Sequence, residues 1–489
     1  MPGRWAVFAA LTPGLFGATA DEAGLSLALP RVADQFDATI PEVQWVILAY
    51  ILAIGSLMIP LGRVADMIGP RRLYLAGIVI FSIGAVAAGL APGLFSLAGL
   101  KAVQGFGTAA IQATSMAILS TAFPPRERGK AIGLFMLVGG SGFIFGPLAG
   151  GAVISWLGWR WMVFMVVPFG LLSLVASLRV TSGLAQGQET KSGPFDWLGA
   201  SLSSGSVLIF LLMMSNGQGW GWTSPITIVG FVVSVTLMAS FLLWQRRARA
   251  PILPPDLLSN RTFTRGLILT ALIILGNVPV FVLMPFFVEG VLGHSAAISG
   301  LVMASAAVAF TATGPIIGHL SDRFDWRIFV SLSTLVIAAA MVLISLLDER
   351  ASLWAVIGLM VMLGVGVGLW YSPTTSAALS EVRSSLQGVA SSATLMVRYA
   401  ANVSTVAISV SIVTALMVSR GFEASLNSVA DPAGAGASGA FVDGMAVAFR
   451  IGAGVNLLAT AITLAPIGRA KSKGPSGEAN TTAATSSTE

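Results

Sequence analysis

Asp21 and Glu22 stand side by side in the first long apolar stretch, and no other charge lies between Trp5 and Pro30. A charge inside a membrane span costs roughly 2.5–3.5 kcal/mol on insertion scales, so each such carboxyl is a functional candidate. Its chemistry is loading and releasing a proton, or pairing with a cation. Successive helical residues are about 100° apart, so the two acids cannot face the same way. Lys101, in Leu100–Gly107, and Arg398, in Met396–Tyr399, are the cations inside other apolar stretches. Lys101 could hold a first-helix carboxylate ionised until a proton arrives, or serve as a fixed counter-ion, and both roles are open. Arg398 is a counter-ion or substrate gate, with snorkelling to the membrane edge as the rival. Arg450, near the end of the last stretch, reads as an interface anchor. Trp370 and Tyr371, with Tyr50 and Gln104, are candidate linings of a substrate cavity. For the aromatic ones the competing role is ordinary packing or anchoring at the interface.

Other chemistries lack their residues. The chain has no Cys and two His, His294 and His319, far apart and without ligand spacing. No metal site or cofactor is expected. No phosphate-binding loop, zinc-protease pattern or nucleophile elbow occurs, so the chain does not read as an enzyme or an ATP-driven machine.

Those side chains need elements to position them. Of 489 residues, 55% are hydrophobic and 10% charged, against roughly 25% charged in soluble domains. The lipid bilayer must be the solvent. About 20 mostly apolar residues cross it, and fourteen such segments follow one another from about residue 5 to residue 467. They imply an all-α bundle rather than a barrel. No cleavable signal peptide is evident, so the first stretch reads as a retained span. Most Lys and Arg fall on one side: Arg63, Arg71 and Arg72, then Arg126, Arg128 and Lys130, then Arg246 through Arg265. The bias makes both termini cytoplasmic. It also accounts for the net charge of +6 without a nucleic-acid partner. Residues 419–443 read as an external loop and 469–489 as a disordered tail.

A repeat divides the chain. After the second span comes Gly62-Arg63-Val64-Ala65-Asp66 and after the tenth Gly318-His319-Leu320-Ser321-Asp322, each followed by basic residues. Two six-helix halves with two inserted helices satisfy that spacing. The expected boundaries are 1–180, 181–262 for the inserted pair and linker, and 263–468, with the tail beyond. In the fifth span, Gly142, Gly146, Pro147, Gly150 and Gly151 make a small-residue face with a kink.

On these residues the chain resembles the major facilitator superfamily, specifically its fourteen-helix drug:proton antiporter branch. Gly62, Arg63, Asp66, Gly69, Arg71 and Arg72 are similar to its signature loop. That likeness implies a contact made in one conformation and broken in another. Ala20–Pro30 resembles the first-helix motif, whose membrane-embedded acid falls on Asp21 and would couple transport to protons. Lys101-Ala102-Val103-Gln104-Gly105 is similar to a motif in which Arg is usual. The fifth-span glycines match the motif of exporters. Gln44–Tyr50, Trp159-Arg160-Trp161 and Pro251–Phe263 also fit, although Val166 stands where Asn is common. The resemblance implies two six-helix bundles plus two inserted helices in a bacterial plasma membrane, working as a monomer. It also implies export of small amphipathic molecules, cationic or neutral, driven by protons. Lipid export, proton-coupled uptake and a non-transporting scaffold are the alternatives.

Overall fold

The computed structural model describes residues 3–38, 40–180, 194–321, 323–380, 382, 386–422 and 437–465. The 181–193 part of the linker, most of the expected external loop and the 469–489 tail lie outside the described residues, as does Asp322. Among the described residues all regular elements are helical. The first half holds α1 (Arg4–Phe36), α2 (Ile40–Ile68), α3 (Pro70–Gly89), α4 (Leu94–Ala122), α5 (Arg128–Leu157), α6 (Trp159–Phe164) and α7 (Val167–Val180). Next come α8 (Trp197–Trp220), α9 (Pro225–Gln245) and the short α10 (Pro255–Ser259). The second half holds α11 (Arg261–Phe286), α12 (Ala296–Ser321), α13 (Trp326–Ile344), α14 (Leu353–Ser380), α15 (Gln387–Ser419) and α16 (Ala437–Leu464).

Among the described residues, thirteen segments are long and apolar enough to cross a membrane, α6 and α7 counting together as one. α1 is not among them. At 33 residues it is nonetheless long enough to cross, about 50 Å at 1.5 Å per residue. With it the count reaches the expected fourteen.

Several boundaries differ from expectation. α2 runs to Ile68, so Gly62 to Asp66 form its last turns and the connecting turn shrinks to Gly69. Gly69 takes φ +91°, and Pro70 starts α3 at the first helical position, where its missing N–H costs nothing. The span expected over 161–180 is divided at Met165 and Val166 into α6 and α7. α16 begins at Ala437 rather than near residue 444, because Phe441 and Met445, one turn apart, both enter the core.

Each half packs about its own core, one joining Val7, Tyr74, Ile111 and Phe135, the other Leu269, Met341, Trp370 and Phe449. Tyr371 touches both. Lipid is as apolar as Leu, so close approach of small residues has to supply much of the helix association. A Cβ on Gly107 would strike the α3 backbone at Phe81, and one on Gly364 the α12 backbone at Ala306.

α8 and α9 form a pair locked by reciprocal bonds. Ser206 Oγ donates to the Ser234 carbonyl at 2.8 Å, and Ser234 Oγ to that of Ser206 at 2.9 Å. At one end Asp196 caps α8 and accepts from Trp244 and Gln245 of α9. At the other, Trp222 Nε1 donates to Ser411 Oγ of α15 at 2.8 Å. Toward α2 the contact is apolar, through Leu52, Val207 and Leu211.

The two halves meet along α2 with α15 and α5 with α12. Asp66 of α2 accepts from the backbone N–H groups of Gly388 and Val389, at 3.0 and 3.1 Å. Those groups begin α15 and have no partner within the helix, and the positive end of the helix dipole favours the carboxylate. Alongside, a Cβ on Gly62 would strike the Gly388 carbonyl, and one on Gly318 that of Gly129. Ser372 Oγ donates to the same Gly129 carbonyl at 2.9 Å. These contacts close one end of the molecule.

Candidate functional site

Beyond that closed end, between the halves, lies a cavity of about 280 Å³. Its walls are largely apolar: Leu15 and Met116, Phe135 and Phe143 on one side, Phe281, Phe310 and Trp370 on the other. Into it project Glu22, Gln112, Asn277, Tyr371, Arg398 and Asn402. A large apolar wall with a few polar groups is the general form of a small-molecule site.

The adjacent first-helix acids go separate ways, as the 100° rule requires. Asp21 turns toward α4, where Lys101 Nζ donates to both carboxylate oxygens at 2.9 and 3.1 Å. Both side chains are fully buried. The Lys101 ammonium also lies 5.7 Å from the centre of the Tyr50 ring, and Tyr50 shares a 2.9 Å hydrogen bond with Thr108. A buried pair of this kind is stable only while both charges are present.

Glu22 is half-buried and faces the cavity. Its Oε2 accepts from the Tyr399 hydroxyl of α15 at 3.2 Å, and Gln112 Nε2 donates to that hydroxyl at 3.0 Å. Next to Tyr399, Arg398 donates to the Tyr371 hydroxyl at 2.7 Å and lies 5.2 Å from the centre of its ring. Glu22 and Arg398 form no direct ion pair, so an acid and a base both remain within reach of a guest.

α5 holds α1 in this position. A Cβ on Gly142 would strike Thr19 Oγ1 and approach the Phe16 carbonyl within 2.8 Å; one on Gly146 would strike the Ala20 carbonyl. Gly146 therefore sets α1 one residue before the acids. Gly150 is roomier, with Met162 at 3.4 Å. α5 stays helical through Pro147 and on past Gly151; the side chain of Pro147 lies outside the described residues.

The expected site residues therefore separate. Glu22, Arg398, Trp370 and Tyr371 meet at the cavity. Asp21 and Lys101 meet behind it. Tyr50 and Gln104 do not line it. Tyr50 packs with α4, whose Gly105 lies against the Tyr50 carbonyl, and Gln104 is fully buried where Gly84 lets α3 approach. The Gln104 amide atoms have no hydrogen-bond partner. Sequence reasoning missed Gln112, Asn277, Tyr399 and Asn402. Single amides in apolar helices were their only signal, Tyr399 having stood beside Arg398 without a role.

A family model described as Major Facilitator Superfamily matches residues 11–406. The chain belongs to the major facilitator superfamily. Major facilitator relatives include the riboflavin transporter RibZ of Clostridioides difficile, 29% identical over 79% of this chain and 83% of that one. Multidrug resistance protein Stp of Mycobacterium tuberculosis is 28% identical over 77% and 70%. The chain spans 66–83% of the length of these and another curated relative. Among solved structures, the human organic anion transporter MFSD10 superposes with TM-score 0.66 and 12% identity, over 95% of this chain and 100% of that one. At that identity the likeness speaks for the major facilitator fold alone. The protein is thus a multi-pass membrane transporter of this superfamily rather than an enzyme. The segment resembling the family's signature loop spans the α2 end and its turn, with Asp66 at the joint between halves.

Proposed function

We propose that this transporter is a proton-coupled exporter of small amphipathic compounds, cationic or neutral and lipophilic, working by alternating access. One observation carries the reading: Glu22 projects into a largely apolar cavity, while its neighbour Asp21 is sealed in a pair with Lys101. A guest that buries apolar surface and carries a positive charge competes with a proton for Glu22. Exclusive occupancy of one group is what antiport needs. Asp21 and Lys101 act behind it, keeping α1 in register.

With both termini cytoplasmic, the closed Asp66 end faces the cytoplasm and the cavity loads protons from outside. Inward opening breaks the Asp66 contact with α15 and parts α5 from α12, a rocking of one half on the other. The protein acts as a monomer in a bacterial plasma membrane. Stp, named a multidrug resistance protein, agrees with export, and RibZ adds flat polar aromatics to the candidate guests.

The test is proton release from everted vesicles with an acid interior, on adding lipophilic cations and riboflavin. Wild type should release protons, Glu22→Gln should not, and Asp21→Asn should lose folded protein first. Silence from wild type across the panel, or full release by Glu22→Gln, would refute the reading.

A further inference from the structure

Tyr399 joins three helices of both halves at one oxygen atom. It belongs to α15 of the second half, its hydroxyl reaches Glu22 of α1, and Gln112 of α4 donates to it. A phenol has one proton, so while Gln112 Nε2 donates into its oxygen, that proton is free for the carboxylate. The same hydroxyl stands 3.3 Å from Gln112 Oε1, a second acceptor. The proton therefore has two destinations, one binding the halves through α1 and one through α4. A bond to a charged carboxylate is worth roughly twice a neutral one, so the choice depends on the charge of Glu22.

We propose that Tyr399, held by Gln112, is a positioning residue that makes the joint between α15 and α1 depend on whether Glu22 carries a proton. This rests on the reading of Glu22 as the proton-exchanging group. Charged Glu22 takes the phenolic proton and ties α1 to α15. Protonated Glu22 is a weaker, neutral acceptor, so the proton turns toward Gln112 Oε1 and the bond between α1 and α15 weakens. α15 is well placed to transmit the change. Its first N–H groups bind Asp66, eleven residues and about 16 Å along the same rigid helix.

The groups facing Glu22 are few. Asp21 adjoins it on α1, but Lys101 of α4 holds Asp21. Tyr50 of α2 bonds to Thr108. Arg398 of α15 is engaged by Tyr371 of α14. Among these, Tyr399 alone is hydrogen-bonded to Glu22, and Gln112 bonds Tyr399.

The chain has no Cys, so two can be introduced without background. Trp156→Cys and Leu301→Cys lie exposed on α5 and α12, at the end away from Asp66. Spin labels there, on the full chain in nanodiscs, report the distance between halves from about pH 5 to pH 9. Wild type should change distance with pH, and Glu22→Gln should hold one distance throughout. Tyr399→Phe should displace the midpoint by about one pH unit and lower substrate-evoked proton release about tenfold. Gln112→Met should do the same in kind; it guards against a folding defect peculiar to the phenylalanine variant. If Tyr399→Phe and Gln112→Met keep the wild-type midpoint and coupling while Glu22→Gln abolishes both, the proposal fails and the reading of Glu22 stands. If Glu22→Gln keeps the wild-type pH response, the reading of Glu22 fails and the proposal with it.

Discussion

The pocket between α1 and α4 and the cavity wall around Glu22 begin one residue apart, yet treat charge in opposite ways. In the pocket, Asp21 and Lys101 meet at 2.9 Å with no exposure, and each neutralises the other. At the cavity wall, Glu22 and Arg398 stay apart, each steadied by a tyrosine hydroxyl. The pocket cannot change its charge without leaving a bare ion in an apolar surround, and on the proposed reading it serves as a structural rivet. The wall can change charge at small cost, because a guest or a proton can reach it. A transporter has use for both: a fixed point and a group that responds.

The sharpest way to break this comparison is to remove the cation from each region. Lys101→Met should cost about 3–5 kcal/mol, because it strands a buried carboxylate. Arg398→Met should cost less than about 1 kcal/mol and act on transport. Unfolding midpoints in detergent check both, and pairing Lys101→Met with Asp21→Asn should recover most of the loss. Equal losses at the two sites would erase the distinction.

A smaller effect tests what aims the acids. Gly146→Ala puts a methyl against the Ala20 carbonyl, backbone that cannot swing aside, and should cost about 1–3 kcal/mol together with transport. Gly150→Ala meets only the flexible Met162 and should stay within about 0.5 kcal/mol. The two variants belong side by side in one stability and flux assay.

The smallest effect separates the tyrosines. Tyr50→Phe loses a buried bond to Thr108 and should cost about 1 kcal/mol with substrate affinity unchanged. Tyr371→Phe frees Arg398 and should shift affinity while stability stays within about 0.5 kcal/mol. Binding titrations beside melting curves would reveal a reversed pattern.

Much of the helix plan was legible because bilayer thickness sets span length and lipid forbids bare backbone. The turn at Ala91-Pro92-Gly93 falls between α3 and α4 as its residue types require. The end of α2 was less legible. Basic residues after Gly62 suggested a loop, whereas Gly69 and Pro70 alone make the turn. At the site, charges inside apolar helices stood out, since each is expensive there. Tyr399 and Gln112 did not stand out, because an uncharged side chain costs little and leaves no trace in hydropathy.

By itself the sequence determined that the chain is a helical membrane protein, that the charges set deep within spans fall in α1, α4 and α15, and that Asp21 and Glu22 diverge. Period and transfer cost are local properties, readable along one strand of text. Only the tertiary structure decided which acid is sealed and which meets the cavity. It also decided that Tyr50 and Gln104 serve packing, and that Asp66 crosses to the start of α15. Those outcomes depend on which helices become neighbours, and that follows from how small residues far apart in the chain let backbones touch.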